Sequence, residues 1–349
     1  MTAHDPTRRI PVVDLARRAA ALEPELTEAV TRVVRSGAYL FGPELEAFER
    51  ELAAHTGRGH AVGVSSGTDA LRLSLIALGV GPGDEVLVPA FTAVPTAAAV
   101  CATGAVPVFV DVEADTATVD GAAARTAVTD RTRAVIPVHL YGRPADLPDL
   151  GVPVVEDAAQ AFGALDPRSG STAVACSFYP TKNLGGITDG GAVLTDDAER
   201  AAMLRLLRAH GHTGDYVHTV VATNARLSDV AAAELRVGLP RVDADNGRRR
   251  EIAASYRAAA PGLGWQAEHP RHVYHLCVAR VPDRDAFRRA LPFDTGVHYP
   301  RALTRQPAYE AFTRTPCPEA ERWAAECVSF PCFPEMTDDE IEAVCRAIR

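Results

Sequence analysis

AVACSFYPTKNLGGITDGGAVLT, residues 173 to 195, is the stretch on which the fold turns. An apolar run closes at Ser177, Lys182 follows, and glycines Gly185, Gly186, Gly190 and Gly191 bracket a turn before a second apolar run opens at Ala192. Glycine, asparagine and aspartate admit tight or left-handed backbone, so the stretch reads as strand, constrained loop, strand, with Lys182 held in the loop. Most lysines are solvated on a mobile stem. This one lies among aromatic, proline and glycine residues with few charges nearby, which suits a partly desolvated amine of lowered pKa, able to form a Schiff base with a carbonyl.

Upstream, short apolar runs at 85–89, 106–112, 133–140, 152–155 and 173–178 alternate with turns and helical stretches. Strands of that length with helical crossovers predict an α/β layer architecture with a largely parallel sheet. Ligands in such sheets gather at the carboxyl ends of the strands. Asp157 and Lys182 both follow such ends, which would bring them into one cleft. In VVEDAAQAFGA, Glu156 and Asp157 break abruptly from a valine run and Gln160 stands three residues on. A helix cap is one reading of Asp157. The other is a carboxylate paired with a cationic ring nitrogen.

Further upstream, HAVGVSSGTDALRLSLIALGV reads as a strand at 61–64, the turn Ser65, Ser66, Gly67, Thr68, and a strongly patterned helix through Leu78. Free N–H groups at that helix start, with the Thr68 hydroxyl, suit a phosphate, although such a turn also simply starts helices. The stretch is neither a P-loop nor a dinucleotide fingerprint. An imine-forming amine, an acid for a ring nitrogen and a phosphate cradle together point to pyridoxal phosphate (PLP).

Residues 14–34 and 43–57 carry helical patterns, separated by the aromatic GAYLFG segment, a candidate site or subunit contact. Downstream, a helix is expected over 196–207, an irregular polar segment after it, and helices joined near Gly238 to Pro240. His210, His212 and His218 lack paired-ligand spacing, so no metal is expected. A strand over 273–281, a helix from Arg284 and a helical end over 337–348 predict a smaller α+β domain at 246–349, after a large domain at 1–245.

The 349 residues are 47% hydrophobic, enough for a substantial core, and the net charge of -9 argues against nonspecific nucleic-acid binding while leaving anionic small ligands open. Seven cysteines without CxxC spacing predict reduced, structural thiols. With no apolar leader after the charged start and no membrane-length apolar run, a cytoplasmic protein with no membrane partner is expected.

From about Asp14 to Arg349 the chain resembles the DegT/DnrJ/EryC1/StrS family of PLP-dependent aminotransferases, a fold-type-I family acting largely on nucleotide-linked keto sugars. The resemblance is carried, in order, by SSGTDAL (65–71), VHLYG (138–142), EDAAQAFGA (156–164), SFYPTKNLGGITDGG (177–191), TNARLSD (223–229) and VHYP (297–300). It implies a large mixed, mostly parallel sheet domain with a smaller α+β domain, and a homodimer with a shared active site. By resemblance Lys182 is the cofactor-bearing lysine and proton shuttle, and Asp157 keeps the ring nitrogen protonated. Gln160 lies by the cofactor phenolate. Gly67, Thr68 and Ser177 hold phosphate, joined by Asn224 from the neighbouring subunit, while Tyr179, Asn183 and His298 are substrate-binding residues, of the substrate pocket or a partner loop.

The resemblance further implies L-glutamate as amino donor and a TDP-linked 3-keto-6-deoxyhexose as acceptor, in deoxyamino-sugar or antibiotic biosynthesis. Amination of a keto cyclitol or of C4, and a non-catalytic PLP-binding regulatory or structural homologue, remain open at this stage. Two positions depart from the family pattern. Ala93, in FTAVPTA, stands where an aromatic residue usually stacks on the ring, which either weakens cofactor holding or leaves that task to a neighbour such as Phe91, and Ala231 replaces a usual glutamine.

Overall fold

The computed structural model describes residues 9–167 and 169–349. The chain opens with α1 (Leu15–Ala21), α2 (Glu25–Ser36) and α3 (Pro43–Thr56), then runs β1 (His60–Val64), α4 (Gly67–Ala77), β2 (Glu85–Pro89), α5 (Val94–Cys101), β3 (Val106–Val110), α6 (Gly121–Ala127) and β4 (Thr132–Val135). There follow β5 (Val155–Asp157), β6 (Ala173–Ser177), β7 (Gly191–Thr195), α7 (Ala198–Leu207), α8 (Asp229–Gly238) and α9 (Val242–Ala259). The last part holds β8 (Gly264–Trp265), β9 (Cys277–Arg280), α10 (Arg284–Ala290), α11 (Pro318–Glu326), β10 (Cys327–Phe330) and α12 (Asp338–Ile348).

Strands β1, β7, β6 and β5 form one ladder and β4, β2 and β3 another. Parallel bridges Val135 to Val154 and Val138 to Asp157 join them, giving the order β1-β7-β6-β5-β4-β2-β3. Pairing is antiparallel on both sides of β7 and parallel elsewhere. All these strands but β7 therefore end on one edge of the sheet, and β7 begins there. That edge is where an α/β sheet opens a crevice for ligands.

Both sheet faces are covered, which is why the strands read as unbroken apolar runs rather than alternating ones. Leu71, Leu73 and Leu75 of α4 pack with Val62, Val88, Val155 and Val193 on one face. Phe48 of α3 and Leu235 of α8 pack with Val174, Leu194 and Phe178 on the other. A smaller antiparallel sheet, β10-β9-β8, forms with α9 and α12 a separate core around Tyr256, Phe330 and Val344, which Ile10 joins.

A helix, not a linker, connects the two cores. Within α9, which spans position 246, Val242 packs in the large core and Ile252 and Tyr256 in the small one. Ala302, Leu303 and Trp323, far beyond that position, return to the large core. The strand expected over 273–281 is shorter than its apolar run, since Tyr274 sits at φ 43° and stacks on His272 before β9 begins at Cys277. The run at 133–140 likewise stops as a strand at Val135, and a short helical turn at Leu140–Gly142 follows His139. All seven cysteines are free. No described helix is long and apolar enough to cross a membrane.

Candidate active site

The Lys182 loop leaves β6 at Ser177 and re-enters the sheet at Gly191. It is closed on itself by Phe178 N–H to Gly190 O (2.8 Å), Gly186 N–H to Phe178 O (2.9 Å) and Lys182 N–H to Tyr179 O (2.8 Å). At Gly185 a Cβ would stand 2.5 Å from the Pro180 carbonyl oxygen and 2.7 Å from that of Tyr179, so a side chain there would force the turn open. Lys182 is the only lysine in the chain.

Burial lowers the pKa of Lys182 to about 8, and the charge of Asp157 partly offsets this. A large neutral fraction therefore exists near pH 8, whereas an ordinary lysine stays protonated there. In cofactor-free protein the acetylation rate of Lys182, read by peptide mass, is expected to titrate with a midpoint near 8. A midpoint close to that of free lysine would show a solvated amine and contradict this account. No second lysine confuses the measurement.

Asp157 is the last residue of β5 and is buried at 5% exposure. Its Oδ2 accepts from Thr96 Oγ1 at 2.8 Å and its Oδ1 from the Ala159 N–H at 3.1 Å. Desolvation raises its pKa, while these two bonds and the charges of Lys182 and His139 pull the other way. A buried carboxylate with this partial compensation is suited to a further cationic partner. Thr96 was not singled out in the sequence. Its signal was a hydroxyl in the first turn of the helix after β2, on the edge where Asp157 ends.

At the α4 start, Ser66 caps the helix by accepting from Asp69 N–H at 3.1 Å. The Gly67 and Thr68 N–H groups, ahead of the first intrahelical donor, have no partner among the described residues, as expected of a helix N-terminus. Gly67 lies against the end of β6: a Cβ on it would approach Ser177 Cβ to 2.7 Å. A Cβ on Gly191 would likewise overlap the Ser66 backbone. Two glycines thus let the helix start close onto Ser177, bringing Gly67 and Thr68 together with a serine that the sequence places far from them.

Gln160 is buried, its Oε1 accepting from Tyr141 N–H at 2.6 Å and its Nε2 donating to the Tyr299 hydroxyl at 2.9 Å, which leaves one amide hydrogen for a ligand. His298 is half-buried and bonded through Nδ1 to Ser329 Oγ at 2.8 Å. Burial and the charge of Lys182 lower its pKa. Tyr179 is exposed. Asn224 is exposed too, its Oδ1 accepting from Arg226 Nε at 2.8 Å.

Asn183, expected in the substrate pocket, is instead turned into the interior. Its Nδ2 donates to Asn246 Oδ1 (2.6 Å) and to Val273 O (3.1 Å), and its Oδ1 meets His275 Nδ1 at 3.2 Å. His275, unremarked in the sequence, is buried, and desolvation with the nearby Lys182 charge holds its pKa well below the usual histidine range. It is a neutral neighbour for the amine. Phe91 does not replace the missing ring stack at Ala93, because it is fully buried against Trp323 (6.2 Å, 26°) and Tyr299 (6.5 Å). Ala93 itself is the half-buried N-cap of α5, and Ala231 lies buried in α8.

A desolvated lysine, a buried carboxylate within its electrostatic reach and a bare helix start closed onto a serine fit PLP at its carbonyl, ring nitrogen and phosphate. With the sheet order above, they define the fold-type-I class of PLP-dependent transferases. The model of the DegT/DnrJ/EryC1/StrS aminotransferase family matches residues 20–349, and the chain belongs to that family. It is 44% identical over 370 aligned residues to the dTDP-3-amino-3,4,6-trideoxy-alpha-D-glucose transaminase of Streptomyces venezuelae, an alignment that covers 100% of this chain and 98% of the relative.

Among solved structures, S. venezuelae DesV in complex with a ketimine intermediate is similar at a TM-score of 0.94 and 43% identity, covering 98% of each chain. NtdA from Bacillus subtilis with bound cofactor PMP is similar at a TM-score of 0.93 and 26% identity, covering 100% of this chain and 86% of that one. The expected family and fold class are borne out.

Proposed function

We propose that the chain is a PLP-dependent aminotransferase that moves an amino group from L-glutamate to the keto carbon of a dTDP-linked 3-keto-6-deoxyhexose, in deoxyamino-sugar formation for a bacterial natural product. The observation that carries the chemistry is the pairing of the lowered-pKa Lys182 with the buried Asp157. The sugar class rests on full-length likeness to the transaminase of S. venezuelae.

When bound, PLP supplies an electrophilic carbonyl for the amino group and a protonated ring that stabilises the charge left by C–H deprotonation. Lys182 Nζ would hold the cofactor by its carbonyl carbon and, once the donor's amino group has displaced it, would as the neutral amine take a proton from one carbon and return it at another. The Asp157 carboxylate, steadied by Thr96 and the Ala159 N–H, keeps the ring nitrogen protonated. The Gly67 and Thr68 N–H groups and Ser177 Oγ hold the phosphate, and Gln160 reaches the ring hydroxyl with its remaining amide hydrogen. Asn183 ties the loop to α9, so substrate contact falls to Tyr179 and His298.

The active unit is a homodimer in the cytoplasm, with Asn224 donated to the neighbouring subunit's phosphate site. Exposed apolar side chains support that assembly: Tyr39, Leu40 and Phe41 on one segment, and Tyr216, Val217 and Val221 on another.

The test follows the absorbance of PLP-loaded protein after L-glutamate, then offers a panel of dTDP- and UDP-linked keto sugars and keto cyclitols, with products read by mass. A glutamate-driven spectral change, reversed by a dTDP-3-keto-6-deoxyhexose with formation of the amino sugar, is expected. Reversal only by a cyclitol ketone would refute the sugar assignment, and silence toward every amino donor would refute transamination.

A further inference from the structure

We propose that Arg18 and Glu234, neither in contact with the expected substrate groups, are positioning residues that clamp the Lys182 loop, Arg18 by its carbonyls and Glu234 by its N–H groups. The proposal rests on Lys182 being the cofactor-bearing lysine. From α1, Arg18 Nη1 donates to Lys182 O (2.8 Å) and Pro180 O (3.2 Å), and Nη2 to Asn183 O (3.4 Å). One guanidinium thus spans the backbone on both sides of the lysine, a task suited to its planar fork of donors.

From α8, Glu234 Oε1 accepts from the Ile187 N–H at 2.9 Å. The fit has no slack: a Cβ on Gly186 would overlap that same oxygen, so the glycine is what lets the carboxylate reach the backbone. Glu234 is 4% exposed and its Oε2 has no hydrogen-bond partner among the described residues. Burial pushes its pKa up to about 7 against the pull of the Ile187 and Thr188 N–H groups and of Arg18. A carboxyl kept there at such a desolvation cost needs a compensating role.

Packing restrains the loop where Phe178 and Leu184 enter the large core, but not on the side that faces the first two helices. A hollow of about 250 Å³ lies between the loop and the first two helices, lined by Leu15, Leu22, Leu26, Pro180 and Ile187. A loop with a void on one side loses the dispersion contacts that hold buried segments elsewhere. On that side the backbone around Lys182 is held by the two polar anchors, Arg18 at residues 180 to 183 and Glu234 at residue 187.

The test uses the full chain as Arg18→Met, Glu234→Ala and Glu234→Gln. Methionine keeps the apolar stem and adds no second amine, and glutamine keeps an acceptor for Ile187. Amide exchange at Lys182 and Gly186 is measured on cofactor-free protein, and the pH midpoint of the lysine-linked cofactor absorbance on loaded protein.

R18M and E234A are expected to speed exchange at both amides by about tenfold, the factor for losing one net hydrogen bond, and to shift the absorbance midpoint, with E234Q restoring both. Unchanged exchange and midpoint in R18M and E234A, even with a lowered melting temperature, would overturn the clamp and leave the two as anchors of helix docking. If borohydride reduction of wild-type protein fails to fix the cofactor on Lys182, the functional reading is overturned instead. That outcome needs no variant and is independent of the exchange data.

Discussion

Lys182→Ala is expected to leave a folded protein with no covalently attached PLP and turnover slower by at least about 10⁴-fold, since it removes both the attachment point and a positioned proton carrier. The chain contains no other lysine, so no neighbouring amine can take over the attachment. The same variant is expected to cost nothing in stability of the cofactor-free protein. Burial lowers the Lys182 pKa to about 8 from 10.5, so below that range the fold carries a charge it disfavours. The sign follows from linkage: the unfolded chain binds the proton more tightly, and the native state at pH 7 is penalised by up to roughly 3 kcal/mol, an upper bound that alanine removes.

Two measurements check this. Denaturant unfolding of cofactor-free wild type and variant should show the variant at least as stable, and absorbance with borohydride trapping should show no cofactor on its polypeptide. Partial return of activity with a small added amine would strengthen the assignment of proton transfer to this position. A variant that keeps a covalently bound cofactor would end the Lys182 reading.

The parts of this site legible in the sequence are those whose signal is local. Glycines around Lys182 announce a constrained loop because only such backbone closes on Pro180 and Tyr179 without a clash. Ser66 announces a helix start because a side-chain oxygen one residue before an apolar period caps the free N–H groups. Asp157 stands out because a charge abruptly ends a buried run. What the sequence could not show is which of these meet, and that is decided by strand order. Gly67 approaches Ser177 because β1 and β6 flank β7, and Thr96 reaches Asp157 because the strands before α5 and at β5 end on the same edge.

The misplaced residue follows the same logic. Asn183 sits one residue from Lys182 within the motif that carries the resemblance, and the resemblance placed it at the substrate pocket. Adjacent residues of a turn point in different directions, and this side chain takes its partners from Asn246, Val273 and His275, none within sixty residues of it. Arg18 and Glu234 were invisible for the opposite reason. An arginine on an amphipathic helix and a glutamate in VAAAEL both look like solvated surface, and only the approach of α1 and α8 to the loop gives them backbone partners.

Asp157→Asn is expected to slow both half-reactions by about 10²- to 10³-fold, the scale of a preorganised charge acting where charge develops in the reaction, while cofactor retention falls only modestly. Asparagine nearly conserves the shape, its one oxygen can still accept from the Ala159 N–H, and its NH2 can donate to the Thr96 hydroxyl, so the difference reads chiefly the loss of the negative charge. In cofactor-free protein, moreover, the carboxylate is desolvated and its pKa raised, so the neutral amide should not lower stability. Thr96→Val is the companion, removing one hydrogen bond to the carboxylate but leaving the charge in place. Its expected effect is about tenfold, the value of one charge-assisted hydrogen bond. If stopped-flow single turnovers with L-glutamate show Asp157→Asn unchanged, the buried carboxylate is a structural group and the electronic role assigned to it is lost. If Thr96→Val is as damaging as Asp157→Asn, what matters is the orientation of the carboxylate, since a held charge and a loose one would then differ as much as a charge and none.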